Sequence, residues 1–229
     1  MMDTTTDETT PFTSEELASL PVFPLPRVVF FPGTRLPLHL FEPRYRQMME
    51  DCLTRGPRAL AVVLLEEGWE GDYGGQPPIA EVAGAGRILD HARRPDGRFD
   101  LILGGVCRVR LHEHPPEEGR MYRRARGELL EDRITHPEHL NALRTTLLAS
   151  ASNVVTLIRQ RHPGFTLGLE PDMPPGLLAD VIADRLVAEP DARQRILEQL
   201  DVKVRLNHVQ DAVMDLLVQV GAQEGGQLH

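Results

Sequence analysis

A chain of 229 residues, 41% hydrophobic and 26% charged, has ordinary globular composition and enough length to bury a core without cross-links. Its two cysteines, Cys52 and Cys107, form no CxxC pair, which excludes a disulfide scaffold and fits a reducing compartment. A net charge of −9, with both halves acidic, disfavours a nucleic-acid domain. The acidic start MMDTTTDETTPFTSEEL lacks the apolar core of a signal peptide, and no apolar run approaches the roughly 18 residues of a spanning helix. These features predict a soluble, cytoplasmic protein that does not engage membranes.

In chain order, residues 1–18 are Thr-, Asp- and Glu-rich and are expected to be a disordered tail. Prolines at 21, 24, 26, 32 and 37 then forbid a helix and allow short strands, with Val28–Phe31 one candidate and the alternating Leu36, Leu38 and Leu40 another. Pro37 marks that second strand as an edge or a bulge. The segment FEPRYRQMMEDCLTRG reads as a helix. Pro43 takes the first-turn position, Tyr45, Met48, Met49, Cys52 and Leu53 share a face, and Gly56-Pro57 ends it.

ALAVVLL (59–65) reads as a buried strand, followed by the Gly-rich loop EEGWEGDYGGQPP. Arg93–Arg98, RRPDGR, carries the Pro-Asp-Gly signal of a hairpin turn between Arg87–His91 and FDLILGG. CRVRL (107–111) alternates, with Cys107, Val109 and Leu111 inward and Arg108 and Arg110 outward. MYRRARGELL completes seven to nine short strands around one helix. From Pro137 the period becomes helical, and four apolar stripes with short links predict a small bundle. Asp201 is placed as the N-cap of the fourth helix and Gly221 as its end.

Catalytic machinery is missing from the sequence. Of 25 basic residues 24 are Arg, and the single Lys203 lies in DVKVRL, so neither a GxxxxGK[ST] loop nor a Ser–Lys dyad is supported. GxSxG and HExxH are absent, and both cysteines fall on apolar faces where thiols are inert. Gly84-Ala85-Gly86 has no third glycine and no following helix, so a bulge or a close strand approach explains it better than a dinucleotide loop. His112, His114, His136 and His139 are read as solvated surface, and no metal or cofactor is expected. Arg108, Arg110, Arg123, Arg124 and Arg126 form a basic strip, the candidate phosphate contacts of an alternative RNA-binding reading. Trp69 and Tyr73, on the Gly-rich loop, suit adaptable recognition. The loop's carboxylates predict a preference for basic or neutral clients.

Two separated motifs give this chain a family resemblance. LPVFPLPRVVFFPGTRLPLHLFEPRYRQMMEDCL resembles the opening of the N-terminal substrate-binding domain of Lon proteases, most of all its free-standing bacterial members. Gln194, Leu197, Glu198, Arg205 and Leu206 stand where that family has a Gln-x-x-Leu-Glu core before an Arg-Leu helix. The resemblance implies an α+β fold, a PUA-like β pseudo-barrel with one inserted helix followed by a C-terminal four-helix bundle. The expected layout is a tail at 1–18, the β-rich subdomain at 19–133, the bundle at 134–221 and a flexible tail at 222–229. The implied function is non-catalytic binding of unfolded or tagged polypeptides, with Trp69, Tyr73, Phe30 and Phe31 as candidate contacts and a protease or chaperone as partner. The ATPase and Ser–Lys peptidase domains of Lon proteases are not expected here.

Overall fold

The computed structural model describes residues 10–72 and 74–225, the last four by backbone alone. The chain falls into two compact units, Met1–Leu130 and Glu131–His229.

The first unit opens with a short helix, α1 (Ser14–Ala18), where the sequence suggested disorder. Thr13 caps it reciprocally: Glu16 N–H donates to Thr13 Oγ1 at 3.2 Å and Thr13 N–H donates to Glu16 Oε2 at 2.8 Å. Composition hid this anchor because its partner, Arg87, lies more than 70 residues away. The expected tail at residues 1–9 lies outside the described residues.

Six strands follow around one longer helix: β1 (Leu20–Leu25), β2 (Arg35–Leu40), α2 (Pro43–Thr54), β3 (Ala59–Leu64), β4 (Val82–Arg93), β5 (Phe99–Glu113) and β6 (Arg123–Leu130). The order β2-β5-β4-β3-β1-β6, with β6 also pairing β5, closes five strands into a barrel and leaves β2 outside it. β5 changes partner along its length. Phe99–Gly104 pairs with β2, and Arg108–Glu113 pairs with β6. The segments FDLILGG and CRVRL are therefore one strand of 15 residues rather than two.

Local chemistry explains these boundaries. Pro43 begins α2, and Tyr45, Met48, Met49 and Cys52 are its buried face. Those four join Phe23, Phe99, Leu101 and Leu103 in one core. Each such side chain contributes about 1.5–3 kcal/mol by leaving water. The β4–β5 turn forms as its residues demand. Gly97 N–H donates to Arg94 O at 2.9 Å, and Gly97 takes φ +82°, which a residue with a Cβ resists.

Val28–Phe31 is not a strand. It crosses the barrel wall so closely that a Cβ on Gly84 would collide with the Phe30 carbonyl and one on Gly105 with the Phe31 carbonyl. Gly86 faces the Phe30 ring in the same way. The Gly84-Ala85-Gly86 pattern thus serves close backbone approach, together with a register shift between Ala85 and Gly86.

The second unit holds α3 (Pro137–Arg161), α4 (Pro175–Leu186), α5 (Pro190–Glu198) and α6 (Val202–Gly225). Proline opens three of the four. Asp201 caps α6, accepting from Val204 N–H at 3.2 Å, and the helix continues past Gly221 to Gly225. The unit begins a few residues before the expected 134 because Asp132 and Arg133 belong to its fold. Arg133 bridges to Asp201, and Asp132 receives Arg205.

Arg205 is fully buried at the centre of this unit. Its guanidinium donates to Asp132 Oδ1 at 2.8 Å, Asp132 Oδ2 at 2.5 Å and the Gln199 carbonyl at 2.8 Å, and lies 3.4 Å from buried Asp180. A Cβ on Gly176 would strike this pair, which explains glycine in the first turn of α4. Gln194, Leu197 and Leu206 are buried in the same unit.

Two stability outcomes follow. Gly84→Ala lowers the stability of the full chain by about 3 kcal/mol in urea unfolding, the upper end of overpacking costs, whereas Gly71→Ala, whose Cβ meets nothing within 4 Å, is nearly neutral. Arg205→Ala costs about 3–5 kcal/mol, because it leaves buried carboxylate charge without its cation. Urea unfolding followed by far-ultraviolet circular dichroism measures both.

Candidate functional site

Where β1 and β6 diverge, the first unit opens into a cleft of about 390 Å3. β1 pairs with β6 only over Leu20–Val22, so Pro24 beyond that pairing faces the opening. Pro24, Leu65, Tyr45 and Tyr122 supply apolar walls, and the segment 113–124 between β5 and β6 supplies the rim. Gln47 of α2 holds this segment in place. Its Nε2 donates to the Gly119 carbonyl and its Oε1 accepts from Met121 N–H, both at 2.8 Å.

Four guanidinium groups, those of Arg44, Arg120, Arg123 and Arg124, line the cleft together with the carboxylates of Glu113 and Glu117, and Arg44 is ion-paired to Glu42 at 2.9 Å. Arg44 lies over the Tyr45 ring at 4.6 Å and Arg120 over the Tyr122 ring at 5.6 Å, in cation–π geometry. Arg123 forks onto Glu113 at 2.6 and 2.7 Å and donates to the Pro77 carbonyl at 2.7 Å. Arg120 pairs with Glu117. Arg124 donates to the Ser19 carbonyl at 3.1 Å, while its Nε is buried without a partner. Tyr122 donates to Asp51 Oδ2 at 2.9 Å, and burial, with Asp51 beside it, pushes its hydroxyl up to about 12. The phenol stays neutral and acts as wall and donor. Burial likewise pushes the Cys52 and Cys107 thiols up to about 12, so neither is an activated nucleophile.

The sequence candidates are dispersed. Phe30 and Phe31 are 2% and 0% exposed, because the crossing segment packs them into the barrel unit. Trp69 lies half-buried in a 3-10 turn, Trp69–Asp72, and Tyr73 lies outside the described residues. Gly75, Gln76 and Pro77 of the same loop reach the cleft. Of the arginine strip, Arg123 and Arg124 line the cleft. Arg108 is buried opposite Gly84 rather than outward, Arg110 faces Glu81 and Glu128 at 3.9 and 3.7 Å, and Arg126 is exposed. The histidines do not converge as four. His112 pairs with Glu128 at 3.0 Å, and His114 Nε2 donates to the Ala18 carbonyl at 3.0 Å. Among the described residues, His136, Glu138 and His139 bring their ligand atoms within 4.8 Å of one another on an exposed helix start.

Comparison with known proteins decides the family. The family described as the ATP-dependent protease La (LON) substrate-binding domain matches residues 19–215. The chain belongs to this Lon substrate-binding family. The Lon protease of Paraburkholderia phytofirmans is 31% identical over 215 residues, 90% of this chain and 26% of that protein. The Lon protease of Anaeromyxobacter dehalogenans is 28% identical over 193 residues, 84% and 22% respectively. The chain thus spans about a quarter of the length of the Lon proteases it matches. In structure it resembles the Lon N-terminal domain protein from Xanthomonas campestris, with a TM-score of 0.57 and 25% identity, covering 83% of this chain and 96% of that one. It also resembles the N-terminal domain of Mycobacterium avium complex Lon protease, with a TM-score of 0.64 and 16% identity, covering 86% and 98%. These likenesses establish the Lon N-terminal fold, barrel and helices together. No helix among the described residues is long and apolar enough to cross a membrane.

One further contact bears on the cleft in this Lon-type barrel unit. Ala18 and Ser19, which line it, end a strap that Arg87 holds. Arg87 is nearly buried. It donates to the Thr10 and Pro11 carbonyls at 3.0 Å, clasps Glu16 at 2.8 and 3.0 Å, and lies 4.7 Å over the Phe12 ring. The hydrogen bond from Arg87 holds the Glu16 carboxyl down at about 2, against an ordinary 4.5. A depressed carboxyl stabilises the docked strap fully above its ordinary value and loses that contribution as pH falls through the folded value. Amide protection of residues 14–18 in hydrogen exchange is therefore expected to be constant at neutral pH and to fall between about pH 4.5 and 2. Arg87→Gln removes the step.

Proposed function

We propose that this chain is a non-catalytic polypeptide-binding module, an adaptor that holds unfolded or tagged polypeptides for a protease or chaperone partner in cytoplasmic protein quality control. One observation carries the reading: the matched family is described as a substrate-binding domain, and it spans residues 19–215. The sequence supports the non-catalytic part, since it holds neither a phosphate-binding loop nor a peptidase motif, and burial raises both thiols. The binding surface is the barrel unit, including the loop that carries Trp69 and Tyr73. The helical unit buries the central part of each apolar stripe, which supports this placement, although Met214 and Val218 of α6 are exposed.

An RNA-binding role draws less support. Arg108 is buried, and Arg110 and Arg123 face carboxylates, so the strip offers few unneutralised cations to a phosphate backbone.

The test is equilibrium binding of the full chain to a permanently unfolded, reduced protein and to the native form of that protein. The unfolded form binds and the native form does not, with no peptide cleavage and no ATP hydrolysis. Trp69→Ala weakens binding by about 1–3 kcal/mol, the range of an interface anchor, and leaves the melting temperature unchanged. Equal binding by the variant, with a lowered melting temperature, makes Trp69 a structural residue instead.

A further inference from the structure

We propose that His136, Glu138 and His139, at the start of α3, form a binding site for a late first-row divalent cation such as Zn2+. The site lies wholly in the helical unit and does not depend on the polypeptide-binding reading.

Local geometry brings the three groups together. His136 is the N-cap of α3, Pro137 fills the first helical position and His139 is the third residue of the helix. Side chains at the N-cap and the third position are neighbours at a helix start, which is why a capping box can form there. Here both positions carry imidazoles, and His136 makes no side-chain capping hydrogen bond. Its ring turns to Glu138 instead, with Nδ1 3.3 Å from Glu138 Oε1. His139 Nδ1 approaches the same oxygen at 3.8 Å. The two ring centroids are 5.6 Å apart, with the planes 31° from parallel. All three ligand atoms lie within 4.8 Å of one another.

These separations decide between a simple ion pair and a ligand set. A strong charge-assisted N–H···O bond is about 2.7–2.9 Å long, shorter than either contact. Donor atoms about 2.1 Å from a tetrahedral ion lie about 3.4 Å from one another, so the cluster closes on an ion with small side-chain movements. Two imidazoles and one carboxylate suit Zn2+, Cu2+ or Ni2+, whereas Mg2+ and Ca2+ require oxygen donors. Each of the three side chains is more than half exposed, so an ion reaches them and keeps water in its remaining positions.

The N–H groups of a helix start oppose a cation. Glu138 offsets them from the first turn, and Asp201 adds a second carboxylate nearby. The Thr135 hydroxyl donates to Asp201 Oδ2 at 2.6 Å. That bond first, with charge on His136 among the lesser causes, holds the Asp201 carboxyl below its usual range. The segment ahead of His136 is itself fixed. Arg133 N–H donates to the Leu200 carbonyl at 2.8 Å, and Val202 N–H donates to the Arg133 carbonyl at 3.0 Å. A cation held here therefore clips the start of α3 beside its tie to α6. On this reading both histidines are more than the solvated surface that the sequence suggested.

The experiment titrates the full chain with Zn2+ at neutral pH by calorimetry and follows the imidazole nitrogens by NMR. Zn2+ binds at one equivalent, shifts the His136 and His139 nitrogens together, and raises the melting temperature, as a ligand of the folded state does. Glu138→Gln and His139→Gln each weaken binding at least about tenfold, the scale of losing even an outer partner of a metal ligand, with an unaltered circular dichroism spectrum. His112→Gln, whose ring pairs only with Glu128, binds like the wild type. Mg2+ at the same concentration leaves both imidazoles unshifted. Should His139→Gln fail to fold, His136→Gln is judged by the same readouts. Zn2+ that shifts neither imidazole overturns the proposal, as does equal affinity of the folded variant, or an equal response to Mg2+.

Discussion

The barrel unit depends on one close approach. The backbone at Phe30–Phe31 lies against Gly84 and Gly105, where no side chain fits between them, and the Phe30 ring lies against Gly86. That contact buries both phenylalanines and lets the chain cross from the barrel proper to β2 outside it. It also falls beside the point where β5 exchanges β2 for β6, so the same few residues close the barrel and hang the extra strand upon it. The helical unit has its own fixed point in Arg205, which ties the segment ahead of α3 to α4 and α6 through Asp132 and Asp180. Each unit thus turns on a group that tolerates little change, a missing Cβ in one and a buried cation in the other.

Much of this architecture was legible because it rests on local signals. Pro43, Pro137, Pro175 and Pro190 each open a helix, the buried face of α2 follows its 3.6-residue spacing, and Pro-Asp-Gly makes the hairpin turn. What resisted reading depends on distant partners. Val28–Phe31 has the composition of a strand but finds no ladder, since its neighbours are glycine backbones it crosses. The helix Ser14–Ala18 looked like polar tail because Arg87, which secures it, lies far along the chain. Arg108 alternates like an outward residue yet is buried, because the barrel is closed at that point and both β4 and β6 flank it.

The cleft was less legible than the fold for the same reason. Tyr45 read correctly as core, but the sequence could not show that its ring also backs an opening beneath Arg44. Arg123 and Arg124 were singled out as part of a strip along β6. Closure of the barrel divides that strip, turning these two toward the cleft and leaving Arg126 exposed. The paired prolines 115 and 116, in the segment between β5 and β6, belong to the rim of the cleft. Trp69 drew attention because a lone tryptophan in a glycine-rich loop is conspicuous, while the loop's contribution to the cleft comes from Gly75, Gln76 and Pro77.

The strap and the cleft share atoms. The Ser19 carbonyl accepts from Arg124 and the Ala18 carbonyl accepts from His114, so the end of α1 is part of the cleft's own wall. Reciprocity then binds the two equilibria. Whatever occupancy of the cleft does to the docking of the strap, docking of the strap does to occupancy by the same factor. The strap is in turn linked to the protonation of Glu16 through Arg87. A ligand that bound more tightly with the strap docked would lower the proton affinity of Glu16 without touching it, and acidification would weaken that ligand from outside the cleft.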